Sequence, residues 1–150
     1  MEVLMASNYT PLIIGGLIPA LLYGLAGAFQ KWSAQEGGSV SVYLIGFGVA
    51  TVIVGVVYRA VLSDASSPTI SIGIALLAGL VFGVGAGLIS FTIIRFDAAI
   101  SQLAPLYNMN FLVTVLLGLL IFSEFRDLQV PRLLAGSLLI LVGGWVVSGA

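Results

Sequence analysis

Cysteine and histidine are absent, and charge is scarce: five Lys or Arg and six Asp or Glu among 150 residues. The missing cysteines exclude disulfides and thiolate chemistry. Together with the missing histidines, they remove the usual ligands for zinc, copper and haem. No metal and no cofactor is expected. The low charge excludes a soluble monomer, because a soluble domain carries about 25% charged residues to cover its surface and this chain has 7%. A net charge of −1 with no basic cluster offers nothing to nucleic acid. With 60% hydrophobic residues, the partner the composition demands is a lipid bilayer.

What is present is long apolar runs. They fall at about Pro11–Gln30, Val40–Tyr58, Pro68–Ile94, Ala98–Phe122 and Pro131–Val147, each close to the ~17–25 residues needed to cross ~30 Å of hydrocarbon. Short polar separators divide them: Ser33 to Gly38, Ser63 to Ser67, Arg95 to Asp97 and Glu124 to Asp127. Thr10-Pro11 and Ser67-Pro68 read as a capping hydroxyl before a proline at the first helical position. Asp97 reads as the cap of the fourth span, and Pro131 opens the fifth. The first run is expected to be a span and not a cleaved signal, since Glu2 is the only charge before it and no basic n-region is present. Barrel strands would alternate polar and apolar residues in ~10-residue segments, and no such alternation occurs. The expected fold is an all-α, integral membrane bundle of five transmembrane helices forming a single domain over residues 1–150.

Nineteen glycines occupy this bundle, although glycine weakens a soluble helix by ~1 kcal/mol relative to alanine. In lipid, small residues let helix backbones approach. Gly16, Ala20, Gly24 and Ala28 make such a stripe in the first span, and Gly79, Gly83 and Gly87 make one in the third. The stripes are read as helix-packing positions, or as smooth faces on which helices rock.

The polar residues inside the spans are few and concentrated. Pro105-Leu106-Tyr107-Asn108-Met109-Asn110 lies near the middle of the fourth span, where an amide is costly without partners and a proline frees a carbonyl. At 100° per residue, Ser101, Pro105 and Asn108 lie within about 60° of one another, and Tyr107, Asn110 and Thr114 lie on another side. These amides either bond neighbouring helices as structural glue or line a polar cavity. Pro19 is the matching feature of the first span, disrupting the bond to the Gly15 carbonyl, and Tyr23 follows one turn later. Interrupted helices at mid-depth mark solute sites in transporters. The candidate substrate-binding residues are therefore Asn108, Asn110, Tyr107, Tyr23 and Gln102. Pro19, Pro105, Gly79, Gly83 and Gly87 are the packing or hinge positions.

Ionisable residues fall at span ends: Lys31, Arg59, Arg95, Asp97, Glu124, Arg126, Asp127 and Arg132. Arg95 with Asp97 and Glu124 with Arg126 are expected interfacial pairs or anchors, with Trp32, Tyr43, Tyr58 and Trp145 at belt positions. With no carboxylate mid-span, a general acid–base pair is hard to build and no enzyme activity is expected. An Asn/Tyr/Gln lining suits neutral or zwitterionic solutes. Five spans place Arg59, Arg126 and Arg132 on one side and Lys31 and Arg95 on the other. That bias is too weak to fix orientation. Dual insertion would let the chain pair with an inverted copy of itself, the arrangement that alternating access uses.

Ala104-Pro105-Leu106-Tyr107-Asn108, the run Leu117 to Glu124 and the run Gly136 to Gly144 resemble the end of an EamA-type domain. The first span leading into Lys31-Trp32-Ser33-Ala34 is similar to its opening. This domain is the five-helix half of the drug/metabolite transporter superfamily. The resemblance implies transport of small organic solutes through a cavity lined by the first four helices, completed here by a second copy as a homodimer. Related small multidrug resistance transporters carry a glutamate in the first span. This chain has none, which argues against proton-driven export of cationic drugs. Residence in the cell (plasma or inner) membrane is expected. The competing reading is a membrane scaffold or assembly subunit whose polar residues only hold the bundle.

Overall fold

The computed structural model describes residues 9–62, 67–123, 125 and 129–149. Among these there is no strand, and five helical stretches are long and apolar enough to cross a membrane: Thr10–Gln35, Val40–Leu62, Thr69–Phe96, Ile100–Leu120 and Val130–Ser148. The chain is an all-α integral membrane protein. Its helices are α1 (Thr10–Leu12), α2 (Ile18–Gln35), α3 (Val40–Leu62), α4 (Thr69–Phe96), α5 (Ile100–Tyr107), α6 (Asn110–Leu120) and α7 (Val130–Ser148), with a π turn, Ile13–Leu17, joining α1 to α2. The packing groups them into two units, Met1–Asp97 and Ala98–Ala150.

The helix boundaries follow from local chemistry. α2 runs five residues beyond the expected Gln30 and stops at Gly37, whose φ of +82° is open to glycine at little cost. Gly38 N–H bonds Ser33 O at 2.9 Å and Gly37 N–H bonds Ala34 O at 3.1 Å, the paired closure of a Schellman end. Ser39 then starts α3, its Oγ accepting from Val42 N–H at 3.3 Å. Pro131 lies in the first turn of α7, as expected.

Three capping expectations are corrected. Tyr9, not Thr10, is the N-cap of α1, and Pro68 is itself the N-cap of α4, in extended conformation (ψ 145°). Its carbonyl accepts from Ser71 and Ile72 N–H, at 3.0 and 3.4 Å. Asp97 does not cap the fourth span, because Ala99 holds that place. It ends the third span instead, in the left-handed region at φ 47°, ψ 35°, where Asp is one of the few tolerated side chains. The expected Arg95–Asp97 pair is also replaced: the Asp97 carboxylate meets Lys31 Nζ at 2.7 Å. The left-handed turn carries the carboxylate off its own helix and toward α2. Lys31 holds the Asp97 pKa below the usual carboxylate value, mainly through this hydrogen bond. The calls on Glu2, Ser63 to Ser66, Glu124, Arg126 and Asp127 lie outside the described residues.

Within the Met1–Asp97 unit, α3 runs antiparallel to α4. Phe47 stacks on Phe82 with ring centroids 5.8 Å apart, and a Cβ on Gly87 would stand 3.3 Å from Leu44 Cδ1. Tyr43 extends the ring stack through Phe47 at 6.1 Å. Gly87 therefore faces α3, near Leu44 and Val40. Gly79 and Gly83, with Gly16 and Gly24 of the first span, have nothing beyond their own helix backbone within 4 Å of where a Cβ would stand.

Candidate functional site

The fourth span is broken where its polar cluster lies. Pro105 is inside α5, and the interruption comes at Asn108-Met109, which separates α5 from α6. Both residues keep right-handed φ values but have ψ of only −12° and −8°, so the helix tightens. Asn108 N–H still reaches Ala104 O at 3.0 Å. Met109 then bonds Leu106 O at 3.1 Å, Phe111 bonds Asn108 O at 3.3 Å and Leu112 bonds Met109 O at 3.0 Å. These are i→i−3 rungs in place of i→i−4. The carbonyls of Pro105 and Tyr107 thereby lose the donors a continuous helix would give them. Within the same unit, Pro105 lies against α7, where its carbonyl would stand 3.4 Å from a Cβ on Gly144, next to Met109 Cε at 3.5 Å. Glycine at 144 lets α7 approach the break.

Around this break Asn108, Asn110 and Gln102 are exposed and Tyr107 is partly covered. Neither asparagine amide makes a hydrogen bond to another described residue. Thr114 Oγ1 reaches back to the Asn110 carbonyl at 3.4 Å and leaves the amide as it is. The arrangement offers several neutral donors and acceptors on one broken helix and no charged group. It is suited to hydrogen-bonding an uncharged or internally balanced solute, and it supplies no acid or base.

Tyr23, the remaining candidate, belongs to the Met1–Asp97 unit, on α2, and its side chain is exposed. Pro19 lies in the first turn of α2 immediately after the π turn. There Ile18 N–H bonds Ile13 O, five residues back. Pro19 has no N–H for the Gly15 carbonyl, and widening the turn gives its ring room.

A buried polar cluster in the first unit was not singled out from sequence. Gln30 Nε2 donates to Ser90 Oγ at 2.7 Å and to the Ala86 carbonyl at 3.2 Å. Gln30 and Ser90 are 7% and 2% exposed, so this cluster is sealed between α2 and α4. Gln30 was read as a span boundary. The signal for its role was a lone amide at the edge of an apolar run, with the serine Ser90 deep in another span, and only the pairing of α2 with α4 joins them.

Comparison with models of known protein families, with characterised proteins and with solved structures finds no match.

Proposed function

We propose that the chain is a membrane transporter subunit for small neutral or zwitterionic organic solutes, acting by alternating access as an inverted homodimer in the cell membrane. The observation that carries this is the pair of asparagine amides, Asn108 and Asn110, exposed at a mid-span helix break without a hydrogen-bond partner among the described residues. Hydrocarbon does not tolerate such groups, each unsatisfied amide costing several kcal/mol by order of magnitude. A water-filled cavity with a solute, or a partner chain, must meet them. The EamA resemblance supports the first, and the weak charge bias supports an inverted second copy to complete the cavity.

The test is uptake by the reconstituted protein across a panel of neutral and zwitterionic solutes, with Asn110→Leu as the variant. Transport should disappear while dimerisation persists. If dimerisation is lost as well, the asparagines are interhelical glue and the scaffold reading takes over. Since the chain has no cysteine, a single cysteine at the C-terminus reports orientation directly. Labelling of every copy from one side would rule out the inverted dimer.

A further inference from the structure

The hydrogen bonds of the Gln30–Ser90 cluster leave two groups unspent. The Ala86 carbonyl fixes which way the Gln30 amide faces: a carbonyl only accepts, so the group 3.2 Å from it is the NH2. Both protons of that NH2 are then used, one on Ala86 O and one on Ser90 Oγ at 2.7 Å. Oε1 is left with no hydrogen bond to a described residue, although Gln30 is only 7% exposed. No fully enclosed side-chain oxygen or nitrogen among the described residues lacks a partner. Oε1 therefore lies at the rim of the cluster, within reach of a group from outside. The Ser90 hydroxyl is half spent in the same way. Thr51, Thr92 and Thr114 each turn their proton onto the carbonyl four residues back, at 2.8, 2.9 and 3.4 Å. For Ser90 that carbonyl is Ala86 O, which already takes the Ser90 N–H as a helix rung and the Gln30 amide. Its two lone pairs are filled, so Ser90 Oγ accepts from Gln30 and keeps its own proton to give.

We propose that Gln30 and Ser90 form a seat for a hydroxyl group, which donates to Gln30 Oε1 and accepts from the Ser90 hydroxyl. Ser90 Oγ is bonded to Nε2, and Nε2 and Oε1 share one amide carbon, so a single oxygen can reach both groups. The seat demands one atom that both donates and accepts. An ammonium has no lone pair for Ser90, and a carboxylate has no proton for Gln30. Water and the hydroxyl of a neutral solute satisfy it equally. The seat lies toward the membrane surface. Lys31 is the next residue, and its ammonium pairs with the 94% exposed carboxylate of Asp97, about 10 Å along α4 from Ser90. A bound hydroxyl completes the hydrogen bonds of a buried amide that has no other donor in hydrocarbon. The seat belongs to Met1–Asp97 alone and does not depend on the transport reading.

The test is solid-state NMR of the isotope-labelled protein in bilayers, reading magnetisation transfer from water to the Gln30 carboxamide. That signal is identified by its loss in Gln30→Leu. Transfer in the parent chain should be several-fold faster than to Ile93, a dry reference one turn from Ser90 and 2% exposed. Ser90→Ala should slow it about threefold, the order expected when a bound group loses one hydrogen bond. Glycerol then separates the two sources of the hydroxyl. A shift of the Gln30 signal on adding glycerol, lost in Ser90→Ala, means that the seat admits a solute hydroxyl. No shift, with water transfer intact, means that it holds water. Either result supports the seat. Transfer to Gln30 as slow as to Ile93 in the parent chain would overturn it without any variant being needed. Rapid transfer unchanged by Ser90→Ala would also overturn it, since the amide would then be wetted from the surface without Ser90 taking part.

Discussion

The two units treat polar groups in lipid in opposite ways. In Met1–Asp97, the buried amide of Gln30 has two partners, Ser90 and the Ala86 carbonyl, and the carboxylate of Asp97 has Lys31. In Ala98–Ala150, the amides of Asn108 and Asn110 stand exposed at a broken helix without any described partner. A paired polar group is an anchor, since breaking it leaves an orphan in a low-dielectric medium. An unpaired one keeps its hydrogen-bonding capacity, which the proposed solute would use. The same residue chemistry is therefore paired and buried in one unit and exposed without a described partner in the other.

This contrast predicts effects of opposite kind. The largest is on activity: replacing both Asn108 and Asn110 by Leu should lower solute uptake at least about tenfold, the order expected when hydrogen bonds worth ~1–3 kcal/mol are lost. Stability in detergent should hold or rise, because two unsatisfied amides are gone. A fall in thermal stability comparable to the loss of uptake would erase the distinction between the units.

Next in size is Gly38→Ala in the first unit. A Cβ there would stand 2.6 Å from the Ser33 carbonyl oxygen, which is backbone and cannot turn aside. The variant should lose ~1–3 kcal/mol, read as a lowered unfolding midpoint with uptake per folded protein unchanged. Gly144→Ala in the second unit, where the nearest atom is at 3.4 Å, should be accommodated. The pair of variants compares a helix end that is sterically closed with a helix contact that has room for one methyl.

Gln30→Leu should cost ~0.5–2 kcal/mol, the range of interhelical hydrogen bonds in membranes. A double-mutant cycle with Ser90→Ala should show coupling, and additive losses would mean that the two side chains do not act as a pair.

The smallest effect concerns Asp97. Its folded pKa is depressed by Lys31, so whatever the pair contributes is present above the carboxylate's ordinary titration range. It is lost progressively as pH falls from that range through the lowered value. The carboxylate is solvent-exposed, and salt screens it. Thermal stability should therefore be flat from neutral pH down to the usual carboxylate range, fall slightly as pH drops from there through the lowered value, and Asp97→Asn should remove the fall. An unchanged acid response in that variant would assign it to other groups.

Much of this was legible in the chain itself. Hydrocarbon thickness and the backbone's need for internal hydrogen bonds leave an apolar run of some twenty residues one structure to adopt. The five helices consequently appear where the runs are, and the mid-span cluster of Pro105, Asn108 and Asn110 marks the interrupted one. Helix ends were less legible. Asp97 was read as a start signal and is a left-handed stop, because a short polar separator presents the same residues to the helix before it and to the helix after it. Gln30 was least legible. An amide at the edge of an apolar run is equally compatible with an interface anchor and a buried bond, and its partner Ser90 is 60 residues away.

Span number, helical class and the position of the break follow from local composition and the solvent, so sequence alone determined them. Which polar groups are paired and which are left without a described partner depends on which helix faces lie side by side. That was decided by packing, since a hydrogen bond exists only where two distant residues come within about 3 Å of each other.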